Sequence, residues 1–179
     1  MRGQMRIVGF LSCLVAVTGC TEHPSAPALR DEPVYDNPRE GLRFLKPSGW
    51  IQQAKSAAPA GPADVERMLV RYAGPPGVKP PTFEVSMQDL GESTDMAAFL
   101  AEPSHNIAAP WQLVGQPESL TMDGVAATRY AFTQQNMMKE SVVVRRGKRF
   151  YFFTLFGTTS DAQSREQIRS LIREVRWTR

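Results

Sequence analysis

The chain is poor in the residues that build reactive centres. Of its 179 residues, two are cysteines, Cys13 and Cys20, and two are histidines, His23 and His105. Both cysteines lie in the first twenty positions, so the rest of the chain has no thiol for a disulfide framework or a thiolate metal site. The two histidines form no spaced motif with each other or with cysteine. His23 sits in a proline-rich stretch, and His105 follows Pro103 at an expected helix end. Metal binding at His105 would need acidic partners brought from elsewhere in the fold; the plainer reading is a surface or capping histidine. Missing too are a Gly-x-Ser-x-Gly elbow, a phosphate-cradling glycine loop, a dinucleotide glycine fingerprint and a zinc-protease histidine pair. The adjacent carboxylates Asp31 and Glu32 fall in the proline-rich stretch. With acid–base groups and nucleophiles this scarce, the expectation is a protein that is not an enzyme and uses no cofactor or metal.

Charge of one sign is lacking as well. The 21 basic and 18 acidic residues leave a net of +3, and residues 21–179 hold 19 basic against 18 acidic groups. That balance argues against a dedicated nucleic-acid binder. The distribution is uneven: residues 21–124 carry 8 basic and 14 acidic groups, residues 125–179 carry 11 and 4. If the basic half shares one face, that face suits an anionic membrane surface or an acidic partner; a solvated strand-and-helix surface is the simpler account.

What is present starts at the N-terminus. Arg2 and Arg6 precede an apolar run of 11 residues, Ile7–Val17, and small residues lead to Cys20. This is the layout of a secretory signal peptide. The run is short of the roughly 20 apolar residues a spanning helix needs. Val17-Thr18-Gly19-Cys20 resembles the lipobox of bacterial lipoproteins. The resemblance implies cleavage before Cys20, thioether-linked diacylglycerol on its sulfur and a further acyl chain on the new amine, hence a stable membrane anchor. An ordinary signal peptide that happens to end at cysteine is the alternative. Thr21 stands where an aspartate would favour inner-membrane retention, which leans towards the outer membrane. The expected organisation is a signal peptide over 1–19, a lipidated cysteine and extended tether over 20–40, and one globular domain over 41–179. Pro24, Pro27, Pro33 and Pro38 mark the tether, which has too few large apolar residues to offset its ordering entropy.

In the domain, Leu42 and Phe44 alternate with Arg43 as a strand, and Pro47-Ser48-Gly49 turns the chain towards Trp50-Ile51. Residues 54–62 read as loop, Val65–Tyr72 as a strand, and Gly74–Pro81 as a proline-rich segment that cannot join a ladder. Thr82–Leu90 places Phe83, Val85 and Met87 on one face and Glu84, Ser86 and Gln88 on a wet one. Ser93 is the expected N-cap of a helix through Met96, Phe99 and Leu100 that Pro103 ends. Trp111–Val114 and Glu118–Thr121 are extended, and Asp123-Gly124 marks a turn. A meander follows: Val125–Thr133, Met137–Arg145 and Arg149–Phe156. Val142–Val144 and Phe150–Phe153 are apolar on both faces, so the sheet needs cover on both sides. Ser160 and Gln163 form an expected capping box, and Ile168, Leu171, Ile172 and Val175 trace a buried helix face with Arg165, Arg169 and Arg173 outside. Val175-Arg176-Trp177 reads as a closing strand.

The opening Phe44-Leu45-Lys46-Pro47-Ser48-Gly49-Trp50, Gly124–Phe132, the Gly147 turn into Arg149–Phe156 and the ending Ile168–Trp177 together resemble the Mog/PsbP-like domains. The resemblance covers residues 41–179 and implies an α+β fold, an antiparallel sheet flanked by helices as an α/β/α sandwich. Members include photosystem extrinsic subunits, small-GTPase partners and bacterial lipoproteins, and the fold carries no function across.

The densest charge cluster is Arg145, Arg146, Lys148 and Arg149 around the Gly147 turn. It reads as a contact for an anionic partner or as a soluble turn that discourages edge pairing. Tyr130, Tyr151, Phe152 and Phe156 suffice to line a pocket, although core packing is the readier account of them, and Met137-Met138 reads as core filler. The expected function is a lipid-anchored envelope protein acting as a non-catalytic interaction module, with a small-ligand or lipid carrier as the alternative.

Overall fold

The structure, a computed structural model, describes residues 33–55, 65–77, 79–103 and 109–178. The compact unit that carries them spans Glu32–Arg179. Cys20, His23, the adjacent pair Asp31-Glu32 and His105 lie outside the described residues.

In chain order the elements are β1 (Val34–Asn37), β2 (Leu42–Leu45), β3 (Ile51–Lys55), β4 (Arg67–Ala73), β5 (Thr82–Asp89), α1 (Met96–Ala101), β6 (Gln112–Leu113), β7 (Glu118–Met122), β8 (Val125–Gln134), β9 (Met137–Arg146), β10 (Arg149–Thr158), α2 (Ala162–Arg173) and β11 (Arg176–Trp177). Eight strands form one antiparallel sheet in the order β3-β4-β5-β10-β9-β8-β6, with β7 also paired to β8. The expected meander β8-β9-β10 is its centre, and β10 joins it to β5. A separate three-stranded sheet runs β1-β2-β11, also antiparallel.

Both faces of the large sheet are covered, but not by helices alone. On one face Phe83, Val85, Tyr151, Phe153 and Val144 meet Tyr35, Leu42 and Phe44 of the small sheet together with Ile168, Leu171 and Ile172 of α2. A 12-residue helix is about 18 Å long and about 10 Å across, whereas seven strands abreast at ~4.8 Å spacing are about 29 Å wide. The small sheet covers the area the helix cannot reach. The second face packs Phe150, Phe152, Val143 and Phe132 against Leu100 of the six-residue α1 and against Trp111. The fold is therefore α+β and mainly antiparallel strand; the expected helical cover on both sides is met only in part.

Several local expectations shift. The folded body begins before residue 41: β1 occupies Val34–Asn37, and Tyr35 is buried and stacked on Phe44 at 4.7 Å between ring centres. The N-cap of α1 is Asp95, not Ser93; its carboxylate accepts from the amides of Ala97 and Ala98. The N-cap of α2 is Asp161, accepting from the amide of Ser164, in place of a Ser160–Gln163 box. In both cases a carboxylate one or two residues on fits the orphan amides and the positive helix end better than the hydroxyl. Glu166 pairs with Arg173, and Arg169 turns inward to Glu140. The turn at Asp123-Gly124 takes positive φ at both positions, 48° and 78°, as a tight hairpin requires.

The Pro47-Ser48-Gly49-Trp50 opening has a structural role. The Trp50 indole Nε1 donates to Gln167 Oε1 at 2.8 Å, and Gln167 Nε2 donates to the Ser48 carbonyl at 2.7 Å. The motif thereby fixes α2 against the start of the domain.

Candidate functional site

The side of β5 expected to be wet is so only in part: Glu84 pairs with the exposed Arg71, Ser86 is buried, and Gln88 lines a cleft. The cleft has a volume of about 570 Å³. β9 contributes Lys139 and Ser141; β10 contributes Phe152, Thr154 and Phe156; β5 contributes Gln88. Phe99 and Leu100 of α1 and Trp111 form the wall, and Glu66 and Glu102 belong to the lining. Period-two alternation explains this mixture. Residues 139, 141 and 143 of β9 share a face with residues 152, 154 and 156 of β10, so polar and aromatic side chains interleave on one surface.

Lys139 is the unusual member. It is 8% exposed. Its Nζ donates to the Leu100 carbonyl and lies 5.4 Å from the Trp111 ring centre and 5.1 Å from that of Phe132. No carboxylate forms an ion pair with it among the described residues. Burial pushes the ammonium down to about 8, and the negative charge of Glu66 opposes that shift. A buried cation satisfied only by one carbonyl and two ring faces retains most of its desolvation cost.

The neighbouring hydroxyls are held in place. Ser141 and Thr154 share a hydrogen bond of 2.9 Å, and Ser86 donates to Glu66 Oε1 at 2.6 Å. The aromatic wall is built of paired rings: Phe99 stacks on Phe152 at 5.7 Å, and Trp111 packs beside Phe156 at 6.3 Å. The Trp111 amide donates to the Ala101 carbonyl at 2.9 Å, joining the approach to β6 to the end of α1.

The basic turn has a different character. Arg149 reaches inward: Nη1 donates to Glu40 Oε2 at 2.7 Å and Nε to Asp89 Oδ1 at 3.1 Å. Tyr151 donates its hydroxyl to the same Glu40 oxygen at 3.0 Å. The bond to Asp89, then those to Glu40, hold the Arg149 guanidinium above its ordinary value against the effect of burial. Burial, then the Glu40 charge, raises the Tyr151 phenol. Arg145 pairs with Glu92 and lies over the Phe150 ring, and Arg146 stacks on Trp177 at 4.6 Å. Lys148 is exposed. The four cations expected together on the surface therefore divide: Arg149 ties the turn to β1–β2 and β5, Arg145 and Arg146 lie along the surface, and Lys148 projects outward. These residues, with Asp89, Val125 and Tyr151, border a shallow concavity of about 630 Å³.

Of the four aromatics considered for a pocket, Phe152 and Phe156 line the cleft, Tyr151 packs in the opposite core beside Trp177, and Tyr130 borders a smaller hollow near α1. Sequence reading missed Lys139. The available signal was a lysine between Met138 and the Val142–Val144 run, in a strand expected to be covered on both faces.

No protein-family model and no curated protein matches the chain. The fold does have solved counterparts. The chain is similar to the solution structure of cyanobacterial PsbP (CyanoP) from Synechocystis sp. PCC 6803, with a TM-score of 0.51 and 11% identity over 86% of this chain and 97% of that one. It is similar also to the crystal structure of LpqN, involved in cell envelope biogenesis of Mycobacterium tuberculosis, with a TM-score of 0.50 and 14% identity over 77% of this chain and 83% of that one. The fold is PsbP-like.

Proposed function

We propose that this chain is a small-ligand-binding protein of the bacterial cell envelope, non-catalytic and held at a membrane by lipid on Cys20. The observation that carries the binding role is the cleft. Its size is in the range of small-molecule sites, and a few polar groups converge in it among aromatic walls. A filled second face would have favoured a pure interaction module. Non-catalytic action is supported by the pairing of Ser141 with Thr154 in place of a base. The envelope location rests on the leader-like residues Arg2–Cys20 and on the involvement of LpqN, a fold neighbour, in cell envelope biogenesis; the outer membrane is the favoured bilayer because Thr21 follows Cys20.

The test uses the mature chain with Cys20→Ser, so that no acyl chain competes, and the neutral fluorescent probe N-phenyl-1-naphthylamine. Saturable binding of one probe per chain, weakened by narrowing the cleft with Gln88→Trp, is expected. Probe binding that never saturates, or that ignores Gln88→Trp, overturns the reading.

A second reading, docking of an anionic envelope partner on the turn, is supported by Arg145, Arg146 and Lys148 around one concavity. It requires that Lys148→Ser reduce recovery of envelope partners in a pull-down.

A further inference from the structure

The ligand's chemical class can be taken further, resting on the cleft reading above. We infer that the cleft takes a molecule with a single negative charge on an apolar or aromatic body, its anionic head meeting Lys139 Nζ and its body lying among Phe99, Trp111, Phe152 and Phe156.

The asymmetry of charge within the cleft carries the argument. The cation is buried, 8% exposed, and forms no ion pair among the described residues; of the two carboxylates that line the cleft, Glu102 belongs to an exposed residue and Glu66 is engaged by the Ser86 hydroxyl. A buried charge without a buried counter-ion leaves part of its solvation unreplaced, and an entering anion supplies what is missing. Ser141 and Thr154 lie on the same floor and offer hydroxyls beside the head. Apart from the Gln88 amide, the rest of the lining is ring and aliphatic surface, which gains from contact with an apolar body. Glu66 and Glu102, both in the lining, repel a polyanion, so one negative charge against the one lysine suits this distribution where a nucleotide or polyphosphate does not. The groups facing Lys139 from the packed elements are the Leu100 carbonyl, the rings of Trp111 and Phe132, and the Glu66 carboxylate.

The body can be a flexible chain or a flat ring, and the test separates these. Decanoate and 1-naphthoate are titrated by calorimetry into the mature Cys20→Ser chain at pH 7, each against its neutral alcohol, 1-decanol or 1-naphthalenemethanol. At least one anion should bind about tenfold or more tighter than its alcohol. Lys139→Met should abolish that preference while binding of N-phenyl-1-naphthylamine persists. Independently of any variant, wild-type binding of the preferred anion at pH 8.5 should take up protons, seen as a binding heat that changes with the ionisation heat of the buffer. Equal affinity for anion and alcohol in both pairs, or no proton uptake, overturns this class. If the naphthylamine probe binds normally in that event, the cleft reading survives and only the anionic head is lost.

Discussion

Arg169 on α2 holds Glu140 on β9 by two bonds, Nε to Oε1 at 2.7 Å and Nη2 to Oε2 at 2.6 Å, and this bidentate pair attaches the helix to the middle of the large sheet. Glu140 is buried, and the bonds that Arg169 donates to it hold the Arg169 guanidinium above its ordinary value. Removing one partner leaves a charge with poor solvation. Arg169→Met should cost about 3 kcal/mol in urea unfolding at pH 7. Replacing both, as Arg169→Met with Glu140→Leu, should return most of the loss. Arg129, 3.9 Å from Glu140, keeps the single variant folded enough to measure.

Tyr72 supplies the opposite case. Its hydroxyl is buried with no hydrogen-bond partner among the described residues, and burial raises its phenol above the ordinary range. Removing that oxygen deletes an unmet demand while keeping the ring that stacks on Phe83. Tyr72→Phe should leave stability unchanged or raise it by up to about 1 kcal/mol in thermal or urea unfolding.

Lys139 should shape the alkaline side of the stability curve. Its ammonium titrates near 8 in the folded chain against 10.5 for a free lysine. Below pH 8 both states hold the proton and the native state bears the whole burial cost. Between about 8 and 10 the unfolded chain keeps a proton that the native chain has released, so stability rises with pH, by about 3 kcal/mol at most. Near pH 10 the rise ends, because the raised phenols of Tyr72 and Tyr151 make the unfolded chain the first to lose those protons. Urea midpoints from pH 7 to 10 should show the rise in the wild type and none in Lys139→Met.

The basic turn divides by role. Arg149→Met breaks its bonds to Glu40 and Asp89 and strands a carboxylate that is 5% exposed; a loss of about 2–3 kcal/mol is expected in urea unfolding. Lys148→Ser should stay within about 0.5 kcal/mol of wild type. A partner-binding loss seen only with Arg149 substitutions would then report on folding, not on docking.

The leader is tested by chemistry. Growth with an alkyne-labelled fatty acid should mark the wild-type chain and leave Cys20→Ala unmarked, and only the marked chain should sediment with membranes. An unlabelled, soluble wild-type chain would remove the anchor from the proposal.

Much of the architecture was legible because strand periodicity is local. The three long strands of the meander, the closing Arg176–Trp177 strand and the stripe Ile168, Leu171, Ile172 all followed from spacing. The boundary at β1 was not legible: Val34 and Tyr35 stand between Pro33 and Pro38, and composition alone makes that stretch a linker, whereas pairing with β2 decides it. The cleft was hidden for a related reason. Glu84, Ser86 and Gln88 read as solvent-facing, and only the return of α1 and Trp111 over the sheet, set by tertiary contact, brings Gln88 into the lining of a cleft.

The small sheet has one more consequence. Arg176 stands opposite Arg43 and Trp177 opposite Leu42, and the Thr178 amide donates to the Gly41 carbonyl at 2.8 Å. The approach is so close that a β-carbon on Gly41 would meet the Thr178 carbonyl oxygen at 2.5 Å. During vectorial emergence from a ribosome or translocation pore, β2 arrives early and its partner late. Leu42 and Phe44 must therefore wait for residues near 177 before their layer closes, and pairings this distant along the chain make folding slow. That interval is where an escorting chaperone has apolar surface to hold.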